Sequence, residues 1–335
     1  MAIPVVLITG FLGSGKTTLL NHLLRDPGMG DTAVIINEFG DVAIDHLLVE
    51  SAIENAVVLQ SGCICCTVRG DLVDTLDDLC AKVARGELPP FSRIAIETTG
   101  LADPASLVRA FLTERLLADR FTLRAVVTTV DAVNGAGQLD EFEEARHQAA
   151  LADVVVLTKS DLASSEAVAS LTARLRQANP SAAIVPVVHG AIAPDALFAL
   201  VPAHPSRADD EVLAWLNSEA FEETDGHAQS HHDSRIKPFA VTLDRPVTRE
   251  ALRSWLRSIL SLRGSDLLRM KGIVALKGEP APVVVHAVQN ALYPPVQLAA
   301  WPSDDHTTRI VFITRDMAPE ALRNSLEVLA SRSAA

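Results

Sequence analysis

Through its first 200 residues the chain alternates short apolar runs with amphipathic stretches. The runs Val5–Ile8, Ala33–Ile36, Val57–Leu59, Ile94–Ile96, Ala125–Val130, Val154–Leu157 and Ile184–Val188 are rich in Val and Ile, and apolar throughout rather than at every second position. A strand apolar on both faces must be covered on both, so the pattern predicts a mostly parallel α/β sheet flanked by helices. Segments of helical character, such as Gly70–Arg85, Pro104–Leu117 and Ser164–Gln177, fall between most of the runs. They would form right-handed crossovers.

From Pro202 the pattern lapses. Residues 202–236 hold acidic residues, prolines and the histidines His227, His231 and His232. They read as a linker with a short helix at Asp210–Asn217. Its histidines could hold metal loosely, or be chance members of a polar segment. A second pattern follows: strand Phe239–Leu243, helix Thr248–Leu262, strands Ile273–Lys277, Val283–Val288 and Arg309–Thr314, helix Pro319–Leu329. It predicts a small α+β domain with its helices on one face. The expected organisation is a phosphate-binding α/β domain at 1–201, a linker at 202–236 and the α+β domain at 237–335.

A length of 335 residues suits two domains, and 48% hydrophobic residues supply their cores. The net charge of -13 and the lack of a basic run argue against a nucleic-acid partner. No apolar stretch reaches the roughly 20 residues that span a bilayer. The apolar N-terminal run leads into a glycine loop, with neither the charged flank nor the cleavage site of a signal peptide. The expectation is a cytoplasmic protein with no membrane partner. Of four cysteines, three lie within four residues, which suits metal or redox chemistry in a reducing compartment better than a disulfide framework.

The sharpest chemistry is at Gly10-Phe-Leu-Gly13-Ser14-Gly15-Lys16-Thr17, a complete G-x-x-x-x-G-K-T phosphate loop. It sits between an apolar run and a helical one, so phosphate would meet backbone N–H groups at a helix N-terminus. Gly10, Gly13, Ser14, Gly15, Lys16, Thr17 and Thr18 are the candidate phosphate contacts. Lys16 would reach the β/γ-phosphates, and the Thr17 hydroxyl would ligate Mg²⁺.

The Val154–Leu157 run ends in Thr158-Lys159-Ser160-Asp161, close to the N-K-x-D base-reading motif of GTPases. A carboxylate at Asp161 can accept from both N1–H and N2–H₂ of guanine, a donor pair adenine lacks. Lys159 would lay its stem over the base, and Thr158 would brace the loop through its hydroxyl. His189-Gly190 stands where a second base-contacting loop is expected. The run Arg93–Ile96 ends in Glu97. This carboxylate could face Mg²⁺, directly or through water, with the Gly100 N–H offered to the γ-phosphate. The other reading of Glu97 is a capping acid before the helix at Pro104. Lys16, Thr17 and Glu97 are the candidate catalytic residues.

Gly62-Cys63-Ile64-Cys65-Cys66 supplies three soft thiolates suited to Zn²⁺ or Cu(I), or to Co²⁺ with nitrogen and oxygen partners. A fourth ligand must come from elsewhere. Cys80, on a helix, reads as a small buried hydrophobe. In Asn37-Glu38-Phe39-Gly40-Asp41, the acids Glu38 and Asp41 are candidate hard ligands for the transition metal, elements of a γ-phosphate-sensing loop, or members of a solvated turn.

Together GFLGSGKTT, NEFGDVAIDH, GCICC, ETTGLADP, VDA at Val130–Ala132 and TKSD resemble the CobW family of metal-handling GTPases. Arg269–Ile273, Val288-Gln289 and Arg309–Ile313 resemble that family's C-terminal domain. The resemblance implies a slow GTPase that uses GTP, GDP and Mg²⁺, and binds Zn²⁺ or sometimes Co²⁺. It would act as a metallochaperone for a client metalloprotein. It maps Cys63, Cys65 and Cys66 to the metal motif, Thr17 to Mg²⁺, and Thr158, Lys159 and Asp161 to the base loop. The chain departs from the pattern at Ile36, where a bacterial type in the family has glutamate, and at Asp41, which replaces a common glutamate. The other class to weigh is a metal-sensing switch whose output is partner binding. A homo-oligomer dependent on GTP or metal is a further expectation.

Overall fold

The computed structural model describes residues 2–37, 57–61, 70–200, 209–216 and 235–334. Glu38, Asp41, Cys63, Cys65, Cys66 and the linker histidines lie outside the described residues. The chain divides into two units, Met1–Ala173 with Ala182–Val201, and Arg174–Ser181 with Pro202–Ala335.

Up to residue 200 the chain runs β1 (Ile3–Gly10), α1 (Lys16–Leu24), β2 (Thr32–Asn37), β3 (Val57–Ser61), α2 (Gly70–Ala84), β4 (Arg93–Glu97), α3 (Pro104–Thr113), α4 (Arg115–Ala118), β5 (Phe121–Asp131), α5 (Gly135–Glu141), α6 (Glu143–Leu151), β6 (Val154–Thr158), α7 (Ser165–Ala178), β7 (Ala183–Pro186) and α8 (Pro194–Leu200), all in the first unit but for the end of α7 from Arg174. Its seven strands lie in the order β3-β2-β4-β1-β5-β6-β7, every neighbouring pair parallel. The uniformly apolar runs are its strands. Val5, Leu7, Ile35 and Val154 are fully buried, as a doubly covered parallel sheet requires. Ile36 belongs to the core beneath α1, with Leu20, Leu23 and Val34. The expected helix Pro104–Leu117 breaks at Glu114, which is extended (φ -81°, ψ 112°). Helices α5 and α6 fill a stretch that the apolar pattern left unassigned. Cys80 on α2 is half-buried rather than enclosed, and burial pushes its thiol pKa up.

The second unit runs α9 (Asp209–Leu216), β8 (Ile236–Leu243), α10 (Arg249–Arg263), β9 (Leu267–Val274), β10 (Val283–Val288), β11 (Ala291–Leu292), β12 (Val296–Gln297), β13 (Thr308–Arg315) and α11 (Pro319–Ala334). Its antiparallel sheet has the order β11-β10-β9-β13-β8, with β12 also on β10. Phe239, Met270, Val285 and Phe312 pack with Trp255, Leu256 and Leu326 of α10 and α11. Thr248 caps α10, its Oγ1 accepting from the Ala251 N–H at 3.2 Å. The strand expected at Ile273–Lys277 instead spans Leu267–Val274, because Arg269 and Lys271 are buried on the face opposite Met270. The Lys271 Nζ donates to the Trp215 carbonyl at 3.0 Å and lies 5.0 Å from the Trp215 ring centroid. Helix α9 therefore lies on this second face, and the helices are not confined to one side. No helix among the described residues is long and apolar enough to cross a membrane.

Candidate nucleotide site

The candidate residues gather at the C-terminal edge of the parallel sheet, around the end of β1. This is the edge at which open α/β sheets bind ligands. Gly10 ends β1 with φ +144°, and a Cβ there would fall 2.3 Å from Thr129 Oγ1 and 2.4 Å from the Thr129 carbonyl. Only glycine lets the chain turn so close to β5. Gly15, left-handed at φ +93°, then opens α1. The Lys16 Nζ lies over the loop, donating to the Gly10 carbonyl at 3.1 Å and the Phe11 carbonyl at 3.2 Å.

Thr17, at the start of α1, donates from Oγ1 to Glu97 Oε1 at 2.7 Å. Register explains the meeting, since Glu97 on β4 stands level with Ile8 on β1. Glu97 is 5% exposed. A hydroxyl and a carboxylate oxygen converging beside a phosphate loop form the hard donor set that Mg²⁺ prefers. Beyond Glu97 the chain returns to the phosphate loop: a Cβ on Gly100 would lie 2.7 Å from the Leu12 N and 2.8 Å from the Leu12 Cα. Asp103 then caps α3, accepting from the Ala105 N–H at 3.0 Å.

The Thr158–Asp161 segment joins the same loop from the other side. Thr158 Oγ1 lies 2.6 Å from the Ser14 carbonyl and 3.2 Å from the Val130 carbonyl, so the hydroxyl braces the loop as expected. Lys159 is left-handed (φ +55°), and its Nζ donates to the Gly13 carbonyl at 2.8 Å and to Asp131 Oδ2 at 2.7 Å. Asp161 is exposed at the rim. Gly190, after β7, packs on the first turn of α1, where a Cβ would meet Leu19 and Thr18 backbone atoms at 3.0 Å. The exposed His189 beside it thus borders the same region.

Asp131 is a site residue that reading the motifs one by one leaves without a role. It is 1% exposed and also accepts from the Val133 N–H at 2.8 Å, the Asn134 N–H at 3.2 Å and the Asn134 Nδ2 at 2.9 Å. Burial pushes its carboxyl pKa up, but these donors together with the Lys159 ammonium outweigh that and hold it below the usual range.

Residues 4–186 match the nucleotide-binding domain of the CobW/HypB/UreG group, and residues 236–330 match the cobalamin synthesis protein cobW C-terminal domain. The chain belongs to the CobW family. It is 33% identical over 321 residues to the zinc chaperone YjiA of Escherichia coli, covering 96% of each chain. It is 30% identical over 368 aligned positions to the zinc chaperone CobW of Pseudomonas aeruginosa, covering 97% of this chain and 90% of that one. Among solved structures, the Zn(II)-bound YjiA GTPase from E. coli matches with a TM-score of 0.73 and 28% identity, over 98% of this chain and 99% of that one. The family's P-loop architecture and small antiparallel C-terminal sheet are thus both present.

Proposed function

We propose that this CobW-family GTPase is a metallochaperone. It holds Zn²⁺, or Co²⁺, on Cys63, Cys65 and Cys66 with Glu38 and Asp41 as hard partners, and couples its GTP state to delivery of the metal to a client protein. The observation that carries this reading is a register. Asn37 on β2 pairs with Ser61 on β3, and Ile36 pairs with both Gln60 and Glu97. The two strands preceding the candidate ligand segments therefore end side by side, β2 one step from the carboxylate that meets Thr17 and β3 one strand further out. Glu38 is bonded to Asn37 and Cys63 follows Ser61 by two residues. At about 3.8 Å per residue, both segments begin within reach of the γ-phosphate side. The zinc-chaperone names of the two relatives support Zn²⁺ as the cargo. Ile36 is core, so the ligand set leans on the thiols.

Thr17 and Glu97 would hold Mg²⁺, which when bound neutralises charge on the β- and γ-phosphates. Lys16 would move from the Gly10 and Phe11 carbonyls onto phosphate oxygens. Asp161 would select guanine, with Thr158 and Lys159 fixing its loop against Ser14 and Gly13. Gly100 would present its N–H to the γ-phosphate. GTP would then hold the segments after β2 and β3 in one arrangement, and hydrolysis would release them. Linkage makes the coupling reciprocal: if GTP tightens Zn²⁺, Zn²⁺ tightens GTP by the same factor, ordinarily ~1–3 kcal/mol.

The test is Zn²⁺ affinity by competition with a chromophoric chelator, with GTP analogue or GDP bound, for the wild type and a Cys63/Cys65/Cys66→Ser variant. Tighter binding in the GTP-analogue form, lost in the variant, is expected. Equal affinity in the two nucleotide forms sinks the transfer cycle, and binding insensitive to the variant removes the thiols as the cargo site.

A further inference from the structure

Helix α6 carries a buried amide that the reading above does not use. Gln148 is 1% exposed, and its Nε2 donates to the Gly100 carbonyl at 3.2 Å and the Ala102 carbonyl at 3.0 Å. Both neighbours only accept, so the amide must turn its NH₂ to the loop, with one hydrogen for each carbonyl. Gln148 Oε1 is left buried with no hydrogen-bond partner among the described residues. Burying an unmet acceptor is unfavourable, and here it accompanies a two-point hold on the loop. The backbone of Gln148 is itself anchored, since its carbonyl accepts from Thr128 Oγ1 at 2.9 Å. Thr128 is 1% exposed on β5, paired with Thr9 of β1. The chain of contacts thus runs from the central strands through Gln148 to the loop that packs on Leu12 of the phosphate loop.

We propose that Gln148 is a positioning residue that fixes the Gly100–Ala102 segment against the phosphate loop, and so sets the preference for GTP over GDP and the rate of hydrolysis. The proposal rests on the reading of Gly100 as the γ-phosphate contact. GDP has no γ-phosphate, so loosening this segment weakens GTP alone. Base recognition, held through β6 and Asp131, is untouched.

The test uses full-length protein with Mg²⁺ and two variants. Gln148→Glu keeps the shape and replaces both donors by carboxylate acceptors. Gln148→Met keeps the length and removes the polarity, and carries the test if the first does not fold. Affinities for GTPγS and GDP, kcat and KM for GTP, and amide hydrogen exchange over Thr98–Asp103 are measured. The GTPγS affinity should fall about tenfold with GDP affinity within about twofold. In addition, kcat should fall, and the extra protection that GTPγS gives Thr98–Asp103 should vanish in the variants. Equal loss of GTPγS and GDP affinity, or no change in either, overturns the assignment. If GTPγS protects the segment no more than GDP does in the wild type, the Gly100 reading fails and the proposal falls with it. Protection present in the wild type and retained in both variants overturns the role of Gln148 alone.

Discussion

Asp131→Asn tests the ion pair that Lys159 makes beside the phosphate loop. The Lys159 Nζ to Asp131 Oδ2 contact is 2.7 Å, with the aspartate side chain 2% exposed and the lysine 37% exposed. Asparagine keeps an oxygen for the Val133 and Asn134 N–H groups, so the turn after β5 survives, while the ion pair and the bond from Asn134 Nδ2 lose their acceptor. A charge-assisted hydrogen bond is worth about 1.5–3 kcal/mol. The half-exposed lysine recovers part of that from water and keeps its bond to the Gly13 carbonyl. A stability loss of about 1–2 kcal/mol follows. Lys159 ties its own loop to the phosphate loop; if that loop reads the base, as proposed, GTP and GDP affinities should fall by the same factor, about three- to tenfold. The assay is fluorescent-nucleotide titration at pH 7, paired with urea unfolding from pH 7 to pH 3. The sign of the pH effect is fixed. A carboxyl held below its usual value stabilises the fold above the unfolded value of about 3.9, and that stabilisation is lost as pH falls through the lower folded value. The gap between wild type and variant should therefore be full at neutral pH and close in acid. A gap that persists unchanged into acid, or a loss confined to GTP, refutes the reasoning.

Two other perturbations test separate parts of the molecule. Glu97→Gln keeps the hydrogen-bonding shape beside Thr17 but removes the charge that the proposed Mg²⁺ would meet. It should raise the Mg²⁺ concentration for half-maximal GTP hydrolysis by about tenfold or more; superimposable Mg²⁺ titrations would show that Glu97 is only a cap. Lys271→Met removes the amine bonded to the Trp215 carbonyl. It should cost about 1–3 kcal/mol and shift Trp215 emission to the red as α9 loosens from β9; an unshifted spectrum counts against the tie.

The strands were legible because a parallel sheet buried on both faces writes itself as unbroken Val/Ile runs, and the phosphate loop because few residues other than glycine fit its turns. β9 was displaced in the reading because Arg269 and Lys271 look like surface residues. Nothing in the local pattern says that Trp215, over 50 positions away, meets the lysine. Helices α5 and α6 escaped because Gly135, Gly137 and a thin apolar stripe give weak helical periodicity. Gln148 carried no mark at all, since its contacts arise only when the loop after β4 folds over α6. Asp131 was visible inside a short motif, but its bond to Lys159 appears only when β5 and β6 align in register, with Asp131 opposite Thr158.

The two braces divide the site by what each can sense. Thr158 and Lys159, the latter paired with Asp131, hold Ser14 and Gly13, which on the proposed reading lie beneath the part common to GTP and GDP. Gln148 holds the segment that packs on Leu12, on the side where the proposed reading places the γ-phosphate that only GTP has. A metal site that reads the nucleotide state must take its cue from the second side, because the first is the same before and after hydrolysis. The strand ends Asn37 and Ser61 lie on the Glu97 side of the sheet, β2 next to β4 and β3 beyond β2, whereas β6 lies two strands beyond β1. Loosening Gln148 should therefore collapse the difference in Zn²⁺ affinity between GTP-analogue and GDP forms. Loosening Asp131 should leave that difference intact while weakening both nucleotides. If Asp131→Asn erased the Zn²⁺ difference and Gln148→Met preserved it, the coupling would have to run through the base loop, and the register beside Glu97 would lose its explanatory role.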